Sequence, residues 1–133
     1  MSPIFADTSH YVAMLNQRDE LHAKALEFMR AHGGPILTTE QVLTETGNWL
    51  ADTGDRDAFV VLLETIRADP TTTVVWSERE AFDAGMRLYA ARSDKEWSVT
   101  DCISFVVMKE RELADALTAD HHFEQAGFRA LLK

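Results

Sequence analysis

Four carboxylates mark where this sequence could do chemistry: Asp7, Glu45, Asp101 and Asp120. Asp7 ends the apolar run Pro3-Ile4-Phe5-Ala6, and Asp120 closely follows Asp115-Ala116-Leu117-Thr118. Asp101 falls three residues after Ser98, at the head of a strongly apolar stretch, and Glu45 lies among Val42, Thr46 and Trp49. Carboxylate oxygens suit Mg²⁺ or Mn²⁺, which keep several waters beside one or two acids. Two such ions roughly 3.5–4 Å apart serve the hydrolysis of a phosphodiester. That chemistry needs no His, Cys or Ser nucleophile, and the chain offers no convincing one. Taken singly, each acid also has a structural reading. Ser98-x-x-Asp101 is a capping-box pattern, Asp7 and Asp120 precede helices as ordinary N-caps, and Glu45 faces solvent if the helix is rotated by one residue. The catalytic reading therefore rests on all four together.

The elements that must position these acids are short strands alternating with longer helices. Pro3–Ala6, Ile36-Leu37-Thr38, Thr71–Trp76, Asp115–Thr118 and the terminal Phe128–Leu132 read as strands. Helices are predicted from Thr8, over Asp19–His32, from a Thr39 cap to near Gly54, over Asp55–Ala68, over Glu78–Arg92, from Ser98, and over His121–Ala126. Gly33-Gly34-Pro35 and Asp69-Pro70 end the helices before them. Alternation of this kind predicts an α/β fold, a single three-layer α/β/α domain over 1–133 with a short-stranded, mostly parallel central sheet. Ligands of such sheets bind beyond the carboxyl ends of the strands, where Asp7 and Asp120 fall. Glu45 shares a helix side with Val42 and Trp49, so it is expected to face inward. An inward acid among apolar residues is costly unless something pairs with it.

Composition narrows the classes without choosing a function. At 133 residues, 46% of them apolar and 26% charged, the chain has the make-up of an ordinary globular domain. No apolar run approaches the ~20 residues that span a bilayer. The N-terminal segment lacks a basic region and meets Asp7 too early for a signal peptide. Cys102 is the only cysteine, so no intramolecular disulfide forms, which fits a reducing, cytoplasmic setting. A net charge of −9 argues against a broad basic face for coating nucleic acid. An enzyme whose acids are neutralised by bound cations is not excluded, because the ions' own charge enters the balance.

The motifs around the acids carry a resemblance. Asp7-Thr8-Ser9, Val42-Leu43-Thr44-Glu45-Thr46, the stretch D-K-x-W-S-x-T-D-C-x-S-F from Asp94 to Phe105, and T-x-D-x-H-F-x-Q-A-G-F from Thr118 to Phe128 resemble the PIN-domain nucleases. The similarity is strongest to the VapC-like toxins of type II toxin–antitoxin systems, and it runs almost end to end. The resemblance implies a PIN-like fold and an endoribonuclease that cuts RNA through metal-activated water, using one or two Mg²⁺ or Mn²⁺ ions. It makes Asp7, Glu45, Asp101 and Asp120 the catalytic and metal-binding acids. Asp7 and Asp101 are the most direct ligands, while Glu45 and Asp120 bind a second ion or act through water. Thr8, Ser9 and Thr118 match hydroxyl positions that orient Asp7 or a water. Arg87, Arg92 and Lys95 are candidate RNA contacts, with a solvated face as the commoner role for each. The resemblance also implies a cognate antitoxin and a homodimer.

Other features take plainer readings. Asp94 is a solvated loop acid, His121-His122 surface or capping histidines, and Cys102 a small buried hydrophobe. His10 lies within reach of the acids only weakly by spacing, and Trp97 either stacks a base or packs before its helix. Gly33-Gly34 lacks the Lys-Ser/Thr of a phosphate loop. Alternatives remain at this level: a PIN-fold RNA-processing nuclease without an antitoxin, or a non-catalytic PIN-like binding module. A phosphatase using Asp7 as nucleophile would want a second Asp where Ser9 stands, and a phospho-receiver would want one after Thr71–Trp76, where Ser77-Glu78 follows.

Overall fold

A computed structural model describes residues 2–133. Five strands, β1 (Ile4–Ala6), β2 (Ile36–Thr39), β3 (Thr72–Val75), β4 (Asp115–Leu117) and β5 (Arg129–Ala130), form one sheet in the order β3-β2-β1-β4-β5. Each of these pairings is parallel. Between the strands run α1 (Thr8–Leu15), α2 (His22–Ala31), α3 (Glu40–Leu50), α4 (Arg56–Ala68), α5 (Arg79–Ala91), α6 (Val99–Glu110) and α7 (His121–Gln125). The result is the expected three-layer α/β arrangement.

Local chemistry accounts for the boundaries that matter here. The Thr39 hydroxyl accepts the Val42 amide at 3.1 Å and caps α3 as predicted. Ser98 and Asp101 form a full capping box at the start of α6: the Ser98 hydroxyl accepts the Asp101 amide at 3.0 Å, and Asp101 Oδ2 accepts the Ser98 amide at 3.1 Å. The core collects Phe5, Leu37 and Leu117 from the central strands, Ile103 and Phe105 from α6, and Phe123 from α7. β3, the clearest strand in the sequence, is an edge strand and only partly buried.

Two departures are local. α2 begins at His22, because Asp19 turns the chain by accepting the Leu21 amide at 2.9 Å instead of entering the helix. α3 stops at Leu50, and the chain turns through Gly54 at φ +83°, a left-handed conformation that favours glycine.

The strand order creates the site. From β1 the chain winds outward through β2 to β3, then returns to place β4 on the other side of β1. The order therefore reverses between β1 and β4, and a crevice opens beyond their carboxyl ends.

Candidate active site

Asp7 leaves the end of β1, Asp120 stands three residues beyond β4, Glu45 lies in the second turn of α3, and Asp101 in the first turn of α6. All four line one cavity of about 330 Å³, together with Thr8, Ser9 and Trp49. Segments 113 residues apart along the chain, from Asp7 to Asp120, are thus brought to one crevice at the switch point.

Hydrogen bonds hold three of the acids by one edge. Thr118 Oγ1 donates to Asp7 Oδ2 at 2.8 Å, Ser9 Oγ lies 3.4 Å from the same oxygen, and the two hydroxyls are 3.1 Å apart. Although Asp7 occupies the N-cap position of α1, its side chain makes no capping bond. Asp101 both caps α6 and lines the cavity, so its two readings are compatible. Its Oδ2 takes the Ser98 amide and lies 3.2 Å from His122 Nδ1. Asp120 Oδ1 accepts the His122 amide at 2.9 Å and lies 3.4 Å from His122 Nδ1. Among the described residues, Oδ1 of Asp101 and Oδ2 of Asp120 accept no hydrogen bond.

The electrostatics are strained in one direction. Burial pushes the Asp7 carboxyl up to about 7 against the Thr118 hydroxyl and the Thr8 backbone amide, which favour the ionised form, and the Asp101 and Glu45 charges add to the rise. Burial also raises Asp101, with Asp120 contributing. Desolvation and like charge both disfavour the ionised forms of Asp7 and Asp101, and a nearby cation would offset both effects. Thr8 Oγ1 points the same way: it is buried at the cavity without a hydrogen-bond partner among the described residues. Free carboxylate oxygens, raised acids and an unpartnered hydroxyl fit a hard divalent cation.

The structure places the remaining candidates, and for Glu45 it revises the expectation. Glu45 does not face the core: it is half-buried and opens on the cavity, while Trp49, one turn on, is 64% exposed. The side shared by Val42, Glu45 and Trp49 is the rim of the buried stripe, so only Val42 packs inward. None of Arg87, Arg92 and Lys95 lines the acid cavity. Arg87 is exposed on α5, while Arg92 and Lys95 border a separate cavity where Arg92 forms a two-pronged pair with Asp94 at 2.9 and 3.0 Å. Trp97 is buried, donates from Nε1 to Gln125 Oε1 at 2.9 Å and packs edge-on to Phe105, which leaves no face for a base. His10 is buried away from the cavity, and its burial lowers it to about 4, so it is a neutral core histidine. Cys102 is fully buried, as a small hydrophobe should be.

His122 and Asp19 were missed. His122 sits between Asp101 and Asp120, a role hidden behind its likeness to a surface histidine. His121 lies 3.6 Å from Asp120 and is largely exposed. Asp19 is a fifth acid on the cavity wall, and its turn position offered no signal beyond the bend itself.

The profile of the PIN domain family matches residues 4–129. The chain belongs to the PIN domain family. Over 126 residues this PIN domain is 29% identical to VapC20 of Mycobacterium tuberculosis, a 23S rRNA-specific endonuclease, with 94% of this chain and 95% of that protein covered. The crystal structure of VapC20, described as a Sarcin-Ricin loop cleaving toxin, superposes with a TM-score of 0.86 at 26% identity, covering 94% of this PIN domain and 95% of that chain. FitAcB from Neisseria gonorrhoeae is more distant, with a TM-score of 0.66 at 18% identity over 96% of this chain and 94% of that one, a likeness of fold.

Proposed function

We infer that this PIN domain is an endoribonuclease of the toxin type, hydrolysing RNA phosphodiester bonds with one or two Mg²⁺ or Mn²⁺ ions. The observation that carries this reading is the convergence of Asp7, Glu45, Asp101 and Asp120 on one cavity at the sheet's switch point. Asp7 and Asp101, the most buried of the four, are the most direct ligands, and Glu45 and Asp120 complete the set or act through water. When bound, the cation polarises the scissile phosphate and lowers the pKa of an attacking water. The chain's own residues do the rest. Thr118 and Ser9 hold Oδ2 of Asp7, which fixes the carboxylate's plane. His122 and the Ser98 amide hold Oδ2 of Asp101, and the unbonded oxygens of Asp101 and Asp120 are left to bind.

RNA is the substrate this reading requires, and the similarity to a 23S rRNA endonuclease makes a ribosomal RNA loop the first one to try. Two protein partners accompany the proposal. One is a cognate antitoxin that inserts a cation, best an Arg, into the acidic cavity. The other is a second copy of the chain, for which the exposed Val60, Val61 and Trp76 provide apolar surface.

The test is cleavage of a ribosomal RNA fragment in Mg²⁺ or Mn²⁺. Wild-type protein should cut it, excess EDTA should stop the reaction, and Asp7→Asn and Asp101→Asn should each lose activity while keeping the fold by circular dichroism. Full activity in EDTA, or in both variants, would refute the assignment.

A further inference from the structure

The acid cavity poses a problem of its own. Among the described residues no Lys or Arg lines it, and Asp19 adds a fifth carboxylate to the four already there. Bound cations could neutralise the scissile phosphate, but nothing positively charged on the walls would hold the nucleotides to either side. The one large apolar surface on those walls is the Trp49 indole, 64% exposed and one helical turn from Glu45 on α3. Val12, from α1, is the other apolar residue of the wall, and it is far smaller. An exposed tryptophan beside a phosphate-cleaving centre has a ready ligand, since every nucleobase carries a π-face and stacks on aromatic rings. A base inside a duplex is already stacked on its neighbours, so only an unpaired, splayed-out nucleotide can use such a platform.

We propose that Trp49 stacks a nucleobase next to the scissile phosphate and is the residue through which this site captures an unpaired nucleotide. The proposal rests on the nuclease reading for the identity of the neighbouring phosphate. It assigns Trp49 to binding and not to the chemical step. Loss of the ring therefore weakens substrate capture, while a bond already positioned by the acids is cut at an unchanged rate.

Two measurements separate this proposal from the reading beneath it. The first is steady-state cleavage in Mg²⁺ of an RNA oligonucleotide, unpaired and annealed to its complement. Trp49→Leu should raise KM for the unpaired strand roughly ten-fold, the scale of one base stack, with kcat little changed. Trp49→Tyr should restore most of the loss, because a ring stacks and an aliphatic side chain of similar bulk does not. The second is tryptophan fluorescence in the Asp101→Asn protein, which the nuclease reading makes inactive. The chain has three tryptophans, of which Trp97 is buried and Trp76 lies outside the cavity. The unpaired strand should quench emission, the duplex should not, and adding Trp49→Phe should abolish the response. Equal KM values for wild type and Trp49→Leu, or emission that ignores the unpaired strand, overturn the proposal and leave the indole to a protein partner. Absence of RNA cleavage by the wild type in Mg²⁺ and in Mn²⁺ instead overturns the nuclease reading, and the fluorescence titration still decides whether Trp49 meets a base.

Discussion

Asp7 is the residue on which the site's energetics turn. Its carboxyl is raised from 3.8 to about 7 in the fold, chiefly by burial. The sign follows from linkage: the folded protein binds the Asp7 proton more tightly than the unfolded chain does. This contribution to stability is fully present below about pH 4 and is lost as pH rises through about 7. Metal-free Asp7→Asn should therefore be more stable than wild type near pH 8, by on the order of a few kcal/mol, and nearly equal to it near pH 4. Thermal melts of both proteins at the two pH values check this. Divalent cations compete with the same proton, so metal affinity should rise through the same window. His122 gives a second prediction at this scale. It bridges Asp101 and Asp120 at 3.2 and 3.4 Å, and removing such a supporting group costs roughly 10–100-fold in metal affinity. Calorimetric titration of His122→Ala with Mn²⁺ should show that loss with the fold intact, and an unchanged affinity would remove His122 from the site.

Among the elements, α6 matters most because it carries Asp101 into the cavity. It is held by α5 at an unusually close crossing: a Cβ on Gly85 would lie 2.5 Å from Ile103 Cγ1 and 3.2 Å from Ile103 Cα. The backbone contact cannot be relieved by a rotamer change alone. Gly85→Ala should thus destabilise the fold by about 1–3 kcal/mol, read from a urea midpoint, and should lower activity by shifting α6. Ser98→Ala should cost about 1 kcal/mol through the lost cap. Much of this level was legible in advance. Thr39 and Ser98 announced their helices because capping is local chemistry within three or four residues, and Asp7 and Asp120 could be placed at strand ends for the same reason. What stayed hidden depends on tertiary packing. The sequence could not say that α5 presses on α6, that Glu45 and Trp49 sit on the rim of α3 and not its buried face, or that Trp97 spends its indole N–H on Gln125. His122 was hidden likewise, since its partners come from another helix and from a turn whose geometry only the assembled crevice fixes.

For the molecule as a whole, a net charge of −9 and a candidate RNA substrate stand in apparent conflict. The conflict eases if the negative charge gathered in the crevice is matched by divalent cations and not by Lys or Arg. Affinity for RNA should then depend more on the divalent ion than on monovalent salt, in contrast to proteins that bind through many basic contacts. The parallel sheet with its reversal between β1 and β4 makes this possible by gathering acids from distant segments. The most direct test is Mn²⁺ binding followed by electron paramagnetic resonance in wild type and in Asp7→Asn, Glu45→Gln, Asp101→Asn and Asp120→Asn. If the four acids share one centre, wild type binds Mn²⁺, each variant weakens it, and paired substitutions lose less than the sum of the single losses. Undetectable Mn²⁺ binding by the wild type, or affinity unmoved in all four variants, would contradict the account at its base.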